Sequence, residues 1–301
     1  MTPEWRAQFD AEITFSNGGG VSVHDFRLDI PGDTITEPEL GEYLVRHLGL
    51  LMVDTVTVSN VELIREPHKG SRGREAADRP ERAVVDLSHP VRDGMITYPG
   101  LPGPEIGAYR TRAESRASYA PGTEFHLGRI SMVANTGTYL DTAFHRFADG
   151  ADLAALPLSA SVDLAGLVVR VTGAGERAVD RAALLPHEVR GRAVLIHTGW
   201  DRHWGAERYG AADHPYLTGA GAEWLVEQGA ALVGIDSVNI DDIADTTRPA
   251  HTALLAAGIP IVEHLRGLDA LPPDGFRFHA APPAVEGLGT FPVRAYALVG
   301  L

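Results

Sequence analysis

Not one cysteine occurs in the 301 residues. That absence excludes a disulfide framework, a thiolate metal site and a cysteine nucleophile, so any metal must rest on His, Asp, Glu or neutral oxygen donors. Basic residues are few: 26 Lys and Arg stand against 40 Asp and Glu, for a net charge of −14. Without a Lys/Arg-rich stripe to offset it, such a chain repels phosphate backbones and anionic lipid. The expected partner is a small-molecule substrate, with no nucleic acid and no membrane. No run approaches the roughly 18 apolar residues that span a bilayer, and MTPEWRAQFDAE lacks the basic start and apolar stretch of a secretion signal. A cytoplasmic location is therefore expected. Also missing are HExxH, a strand-borne H-x-H, a Gly-rich phosphate loop and any repeat of 20–50 residues, which removes the common motif-defined sites and solenoids.

What is present is a globular composition, 44% hydrophobic and 22% charged, in a chain long enough for one large domain or two of ordinary size. The strongest boundary is EPHKGSRGREAADRPER (66–82), charged, Gly- and Pro-containing and without apolar periodicity, which predicts a linker over 67–82. Its His68, Lys69 and Arg72 read as solvated linker. In residues 1–66, AEITF, FRLDI, VDTVTVS and VELIRE read as strands around a helical run, EPELGEYLVRHLGLL, that follows Thr36 as N-cap. This predicts a small α+β module of ββαββ order. In residues 83–301, AVVDL, GLVVRV, AVLIHT, ALVGID and IPIVE alternate with the helix-like segments 219–230 and 249–258, which predicts an α/β domain.

Among 13 histidines, position has to decide. The densest polar segment, NTGTYLDTAFH, sets Asn135, Tyr139, Asp141 and His145 around a Gly turn. A carboxylate among apolar neighbours needs a partner, so Asp141 does. His251 lies near the start of a helix-like run and Glu263 ends the strand-like IPIVE, so the turn between them can bring both to one site. Singly, each reads as a satisfied structural group; jointly they outline a site. Tyr98, Trp200, Trp204 and Tyr216 are candidates for an aromatic pocket wall, with core packing as the competing role. His89 in DLSHP reads equally as site lining or as a strand-end turn. His126, His187, His214 and His279 have no spacing that argues for ligation, and His264 faces away from Glu263 if the strand continues. Arg294 in FPVRAYAL is expected to pair with an acidic residue rather than anchor a substrate.

Residues 84–299 resemble the cyclase-type metal-dependent hydrolases, the group that includes bacterial kynurenine formamidase and isatin hydrolase. The segments that carry the resemblance, in matching order, are VVDLSHPVRDGMITYPG, NTGTYLDTAFHRFADG, LIHTGWDRHWG, GIDSVNID, PAHTALLAAGIPIVEHLRGLDALP and GTFPVRAYAL. The resemblance implies a swivelling β/β/α-type fold, a homo-oligomer (dimer or tetramer), and hydrolysis of an amide, lactam or formamide with a divalent metal holding the water. The family's loop reads H-x-G-T-H-x-D-x-P-x-H; here Asn135 replaces the first histidine, Tyr139 the second and Ala143 the proline. Carried over residue by residue, Asp141 matches the metal-binding aspartate, His145 the catalytic histidine, and His251 and Glu263 the distal ligands. Half of a two-metal site survives, and a dinuclear zinc site is not expected, because Asn oxygen is a weak donor and a phenol of pKa about 10 binds poorly.

Three readings follow. In the first, one Zn²⁺, Mn²⁺ or Mg²⁺ sits on Asp141, His251 and Glu263, and His145 shuttles the proton for hydrolysis of an aryl formamide, amide or lactam. The second has no metal: Tyr139 and Asn135 stabilise an oxyanion while His145, Asp141 or Glu263 moves protons, which suits a cyclase, dehydratase or isomerase. The third is a non-catalytic, ligand-binding relative. Both histidines of one metal position are absent while the other set stands, a selective loss that favours an altered enzyme. The first 80 residues match nothing in the family core, and an interface role is expected, since so small a module buries little core alone.

Overall fold

The computed structural model describes residues 4–30, 32–66, 83–173, 175 and 177–300; the run expected as a linker lies outside the described residues. Two units separate, Met1–Arg79 and Pro80–Leu301. In the first, strands β1 (Glu4–Phe15), β2 (Gly20–Ile30) and β3 (Val53–Glu66) form an antiparallel sheet ordered β2-β1-β3, with helix α1 (Glu37–Leu48) between β2 and β3 in sequence. Alternation along β1 turns Ala7, Phe9, Ala11 and Ile13 inward, where they meet Leu40 and Leu44 of α1. Thr36 caps α1 with a full capping box to Glu39. The expected ββαββ order is corrected to ββαβ, because VDTVTVS and VELIRE are one strand. Asn60 absorbs the interruption between them: it takes a left-handed φ of 54°, and the pairing with β1 shifts register there, so a bulge replaces a turn.

The second unit runs β4 (Ala83–Asp86), β5 (Glu105–Arg110), α2 (Arg112–Ser115), β6 (Leu127–Ser131), β7 (Tyr139–Asp141), β8 (Leu164–Arg170), β9 (Ala178–Val179), α3 (Arg181–Leu184), β10 (Arg192–His197), β11 (Tyr216–Leu217), α4 (Gly219–Gln228), β12 (Leu232–Ile235), α5 (Pro249–Ala256), β13 (Ile261–Glu263), β14 (Arg277–His279), β15 (Thr290–Pro292) and β16 (Tyr296–Val299). Nine of these strands form one sheet, ordered β15-β7-β13-β12-β10-β8-β14-β16-β4. The central four, β8, β10, β12 and β13, are parallel. Their apolar runs are buried on both faces, as a parallel sheet requires. On one face Val194, Ile196, Val233 and Ile261 pack with Trp224, Leu225, Leu254 and Leu255 from α4 and α5. On the other, Leu195 and Val262 pack with Leu140, Leu265, Phe276 and Phe278. The observed α/β alternation is the expected one. No helix among the described residues is long and apolar enough to cross a membrane.

One end of the sheet positions the chemistry. Antiparallel pairing sets Tyr139 of β7 opposite Glu263 of β13, and Asp141 of β7 opposite Thr290 of β15. Four polar residues thus arrive on three adjacent strands through backbone register alone. α5 then delivers His251 over them. Its N-cap position is held by Arg248, left-handed at φ 51° and without a side-chain cap; Asp241 supplies the acceptors instead, taking the amides of Ala250 (2.6 Å) and His251 (3.1 Å).

Candidate active site

A pocket of about 310 Å³ opens at this end of the sheet, lined among others by Tyr98, Asn135, Tyr139, His145, His251 and Glu263. Asp141 is fully buried beside two of these residues, Oδ2 3.9 Å from His251 Nε2 and Oδ1 3.7 Å from His145 Nδ1. The structure therefore brings Asn135, Tyr139, Asp141, His145, His251 and Glu263 together, with Tyr98 on the wall. It places His89 and Trp200 elsewhere. His89 is buried and stacks on Trp204 with ring centroids 3.9 Å apart, and Trp200 packs with Tyr209 and Val238, donating its indole N–H to the Tyr209 carbonyl at 2.9 Å. Both belong to the packing behind the pocket. Arg294 pairs with Asp86 at 2.9 Å, the expected ion pair.

His251 is the centre of charge. Its Nδ1–H donates to Asp241 Oδ2 at 2.6 Å, which turns Nε2 toward Asp141 Oδ2 at 3.9 Å and Glu263 Oε1 at 3.8 Å. Burial alone would depress this imidazole, but Glu263, the Asp241 hydrogen bond and Asp141 overturn that and take its pKa to about 9. Asp141 is pushed up to about 6 by burial, against the pull of His251 and Thr290. Glu263 is raised as well, first by burial and then by Asp141. Its two oxygens accept from the Tyr139 hydroxyl (2.6 Å) and the Ile240 amide (2.6 Å). Tyr139 itself rises well above the usual phenol range through burial and the charges of Glu263 and Asp141, with the Asn135 amide opposing. It is a neutral donor at any working pH.

His145 is tied into the same network by a residue that sequence reasoning passed over. The Thr290 hydroxyl donates its single proton to Asp141 Oδ1, so toward His145 Nδ1, 2.8 Å away, it acts as acceptor. That fixes the tautomer: Nδ1 carries the proton and Nε2 keeps its lone pair. Burial, then the charge of His251, lower the pKa of His145, so it is neutral and basic at pH 7. Thr290→Val is expected to lower turnover by roughly 10–100-fold, the usual loss when a group that orients another is removed. The fold should be retained, and a turnover equal to wild type would show that the tautomer needs no Thr290. Asp241, Arg146, Arg248 and Asn239 were likewise missed. Asp241 and Thr290 sit in GIDSVNID and GTFP, segments already singled out, but neither motif shows which member reaches the site.

The donor set suits one cation rather than two. Asp141 Oδ2 is fully buried with no hydrogen-bond partner, and the candidate ligand atoms of Asp141, His145 and His251 all lie within 4.8 Å of one another. A buried carboxylate oxygen left without a donor, beside an imidazole whose other nitrogen is held by Asp241, is the arrangement a divalent ion satisfies. At the other position Asn135 and Tyr139 stand where the family's loop has histidines, and the Tyr139 hydroxyl donates to Glu263 Oε2, so no imidazole is left there to hold a second ion.

Behind the pocket, His89 has an unpartnered Nε2, and its pKa is lowered to about 4 by burial and then by Arg266. The folded protein therefore resists a proton that the unfolded chain accepts near pH 6.5. Stability from this residue is present above pH 6.5 and is lost as pH falls toward 4. His89→Phe, which keeps the stack on Trp204, should show a smaller drop in urea midpoint between pH 7 and pH 4.5 than wild type. Equal drops would remove His89 from the acid lability.

The family model described as "Putative cyclase" matches residues 85–242. Similar curated proteins include the kynurenine formamidase of Erythrobacter litoralis, 31% identical over 202 residues that span 67% of this chain and 87% of that protein. That of Geobacillus thermodenitrificans is 31% identical over 213 residues, 70% of this chain and 95% of that protein. Among solved structures, isatin hydrolase A from Ralstonia solanacearum superposes with a TM-score of 0.62 at 23% identity, covering 73% of this chain and 93% of that one. The chain belongs to the cyclase family and has its swivelling β/β/α-type fold. The kynurenine formamidases among these relatives are hydrolases of C–N bonds other than peptide bonds.

Proposed function

We propose that the protein hydrolyses the C–N bond of a small aryl formamide, amide or lactam, with one divalent cation held by Asp141, His251 and Glu263 and with His145 as the proton carrier. The substrate class is supported by the kinship with the formamidases. The single-cation reading is carried by one observation, the buried and unpartnered Asp141 Oδ2 facing His251 Nε2. When bound, a divalent cation there would activate a water and polarise the substrate carbonyl.

The chain's own groups divide the remaining work. Asp241 holds the His251 ring with Nε2 inward. Thr290 holds His145 with its Nε2 lone pair free, able to take a proton from water and return it to the departing nitrogen. The Tyr139 hydroxyl donates to Glu263 Oε2 and holds that carboxylate in place, and Asn135 lines the pocket beside it. The buried floor excludes bulk water and strengthens each of these interactions.

Elemental analysis of protein purified without added metal or chelator tests this reading, with Asp141→Ala and His251→Ala alongside and formanilide as probe substrate. About one Zn, Mn or Mg per wild-type chain, lost in both variants together with turnover, is the expected result. If wild type is active and metal-free, the single-cation reading falls: the His251 proton, held to a pKa of about 9, then stands in the cation's place.

A further inference from the structure

Two guanidinium groups line the same pocket and have no part in the chemistry above. Arg146 follows His145 directly, and Arg248 precedes the helix that carries His251; both border the cavity that holds the reacting groups. In a chain with 14 more acids than bases, arginines normally find carboxylates. These two form no ion pair among the described residues. Arg146 spends only its Nε–H, on Thr252 Oγ1 at 3.3 Å, and Arg248 spends an Nη1–H on the Asp242 carbonyl at 3.0 Å. The nearby acids are otherwise engaged: Asp242 pairs with Arg177 at 2.6 Å, and Asp245 Oδ1 accepts from the amide and hydroxyl of Thr247. Asp245 senses the charge of Arg248 but makes no ion pair with it.

Both guanidiniums therefore keep terminal N–H donors without a protein acceptor, at a cavity that Glu263 also lines. The cavity's charged lining is of two kinds, the Glu263 carboxylate with Asp141 buried nearby and the two guanidiniums, while Tyr98 and Leu101 supply apolar wall. An anionic group would be repelled by the first and received by the second, because a guanidinium fork matches a carboxylate in charge and shape. A volume of about 310 Å³ admits a compound of about one ring and its substituents.

We propose that Arg146 and Arg248 form a carboxylate subsite, so that the substrate is a small N-acyl or N-formyl acid, such as an acylated aminobenzoate, whose carboxylate is separate from the bond that is cut. The amide half of this statement rests on the proposed hydrolysis; the carboxylate half rests on the arginines alone. Calorimetry on the full-length, metal-replete protein compares benzoate with its neutral isostere benzamide, for wild type, Arg146→Gln and Arg248→Gln. Wild type is expected to bind benzoate at least ~10-fold more tightly, the strength of charge-assisted hydrogen bonding, and each variant is expected to erase most of that preference. Equal binding of the two compounds, or variants that keep the full preference, overturns the subsite.

Turnover separates this proposal from the reading beneath it. With 2-formamidobenzoate and neutral formanilide as probes, each variant should raise KM for the acid by roughly ten-fold more than for the neutral compound, with kcat the lesser change. If neither compound is cleaved but benzoate binding depends on the arginines, hydrolysis of formamides falls and the subsite stands. If both are cleaved with equal kcat/KM and without dependence on either arginine, the subsite falls and hydrolysis stands.

Discussion

His145→Ala is expected to lower kcat by roughly 10²–10⁴-fold, the contribution of a positioned proton carrier, while bound metal and thermal stability stay close to wild type. Hydrogen-bond direction assigns this role. Asp141 Oδ1 takes the Thr290 proton, Thr290 takes the His145 Nδ1 proton, and the chain ends with an unprotonated Nε2. His145 is the more exposed of the two site histidines, its side chain 34% exposed against 7% for His251, so it has access to substrate, and its removal leaves no large cavity. Metal content divides the two roles open to it. Turnover lost with metal retained makes it the proton carrier. Turnover and metal lost together make it a third ligand, as its place within 4.8 Å of Asp141 and His251 also allows. Unchanged turnover in the variant would remove His145 from the mechanism.

Much of this site was legible in the sequence, though unevenly. Asp141, His145, His251 and Glu263 stand out by position and through the resemblance, and the structure gathers them at one pocket; the two replaced histidines mark where the chain departs from the family's loop. The structure adds what Tyr139 does there, which spacing does not encode: its hydroxyl meets Glu263 because β7 and β13 pair antiparallel, across 124 residues of sequence. Thr290 was invisible for the same reason. It reaches Asp141 and His145 only because β15 lies beside β7, and such register is a long-range property that no local pattern shows. Composition pointed correctly to an α/β unit because buried parallel strands read as continuous apolar runs, of which LVVR, AVLIH and LVGI are examples. It divided β3 in two because Ser59 and Asn60 imitate a turn, whereas a bulge suffices. His89 and Trp200 show the limit of reading aromatic pocket walls from type: both are aromatic and near the site, and both face the core.

Asp241 carries the second large effect, and it is a residue that no motif distinguished from its neighbours in SVNIDD. It is fully buried and serves two structures at once, the N-terminus of α5 through the Ala250 and His251 amides and the His251 ring through Nδ1. Asp241→Ala uncaps a helix whose N-cap residue has no side-chain acceptor to offer and leaves the buried Nδ1–H of His251 without its charged acceptor. The loss is expected to be about 3–5 kcal/mol, the range for breaking a buried charged pair, read as a fall in urea midpoint, with turnover abolished. Asp241→Asn separates the two duties. Its amide oxygen still caps α5, so part of the stability returns. An amide N–H facing His251 forces the other tautomer, which puts a proton on Nε2 where the lone pair must face Asp141 and Glu263. Turnover and metal affinity should then stay low, by roughly 10–100-fold, although the protein is the more stable of the two variants. If Asp241→Asn recovers activity in step with stability, Asp241 acts only as a cap, and the orientation of His251 is set by the packing of α5 on the sheet.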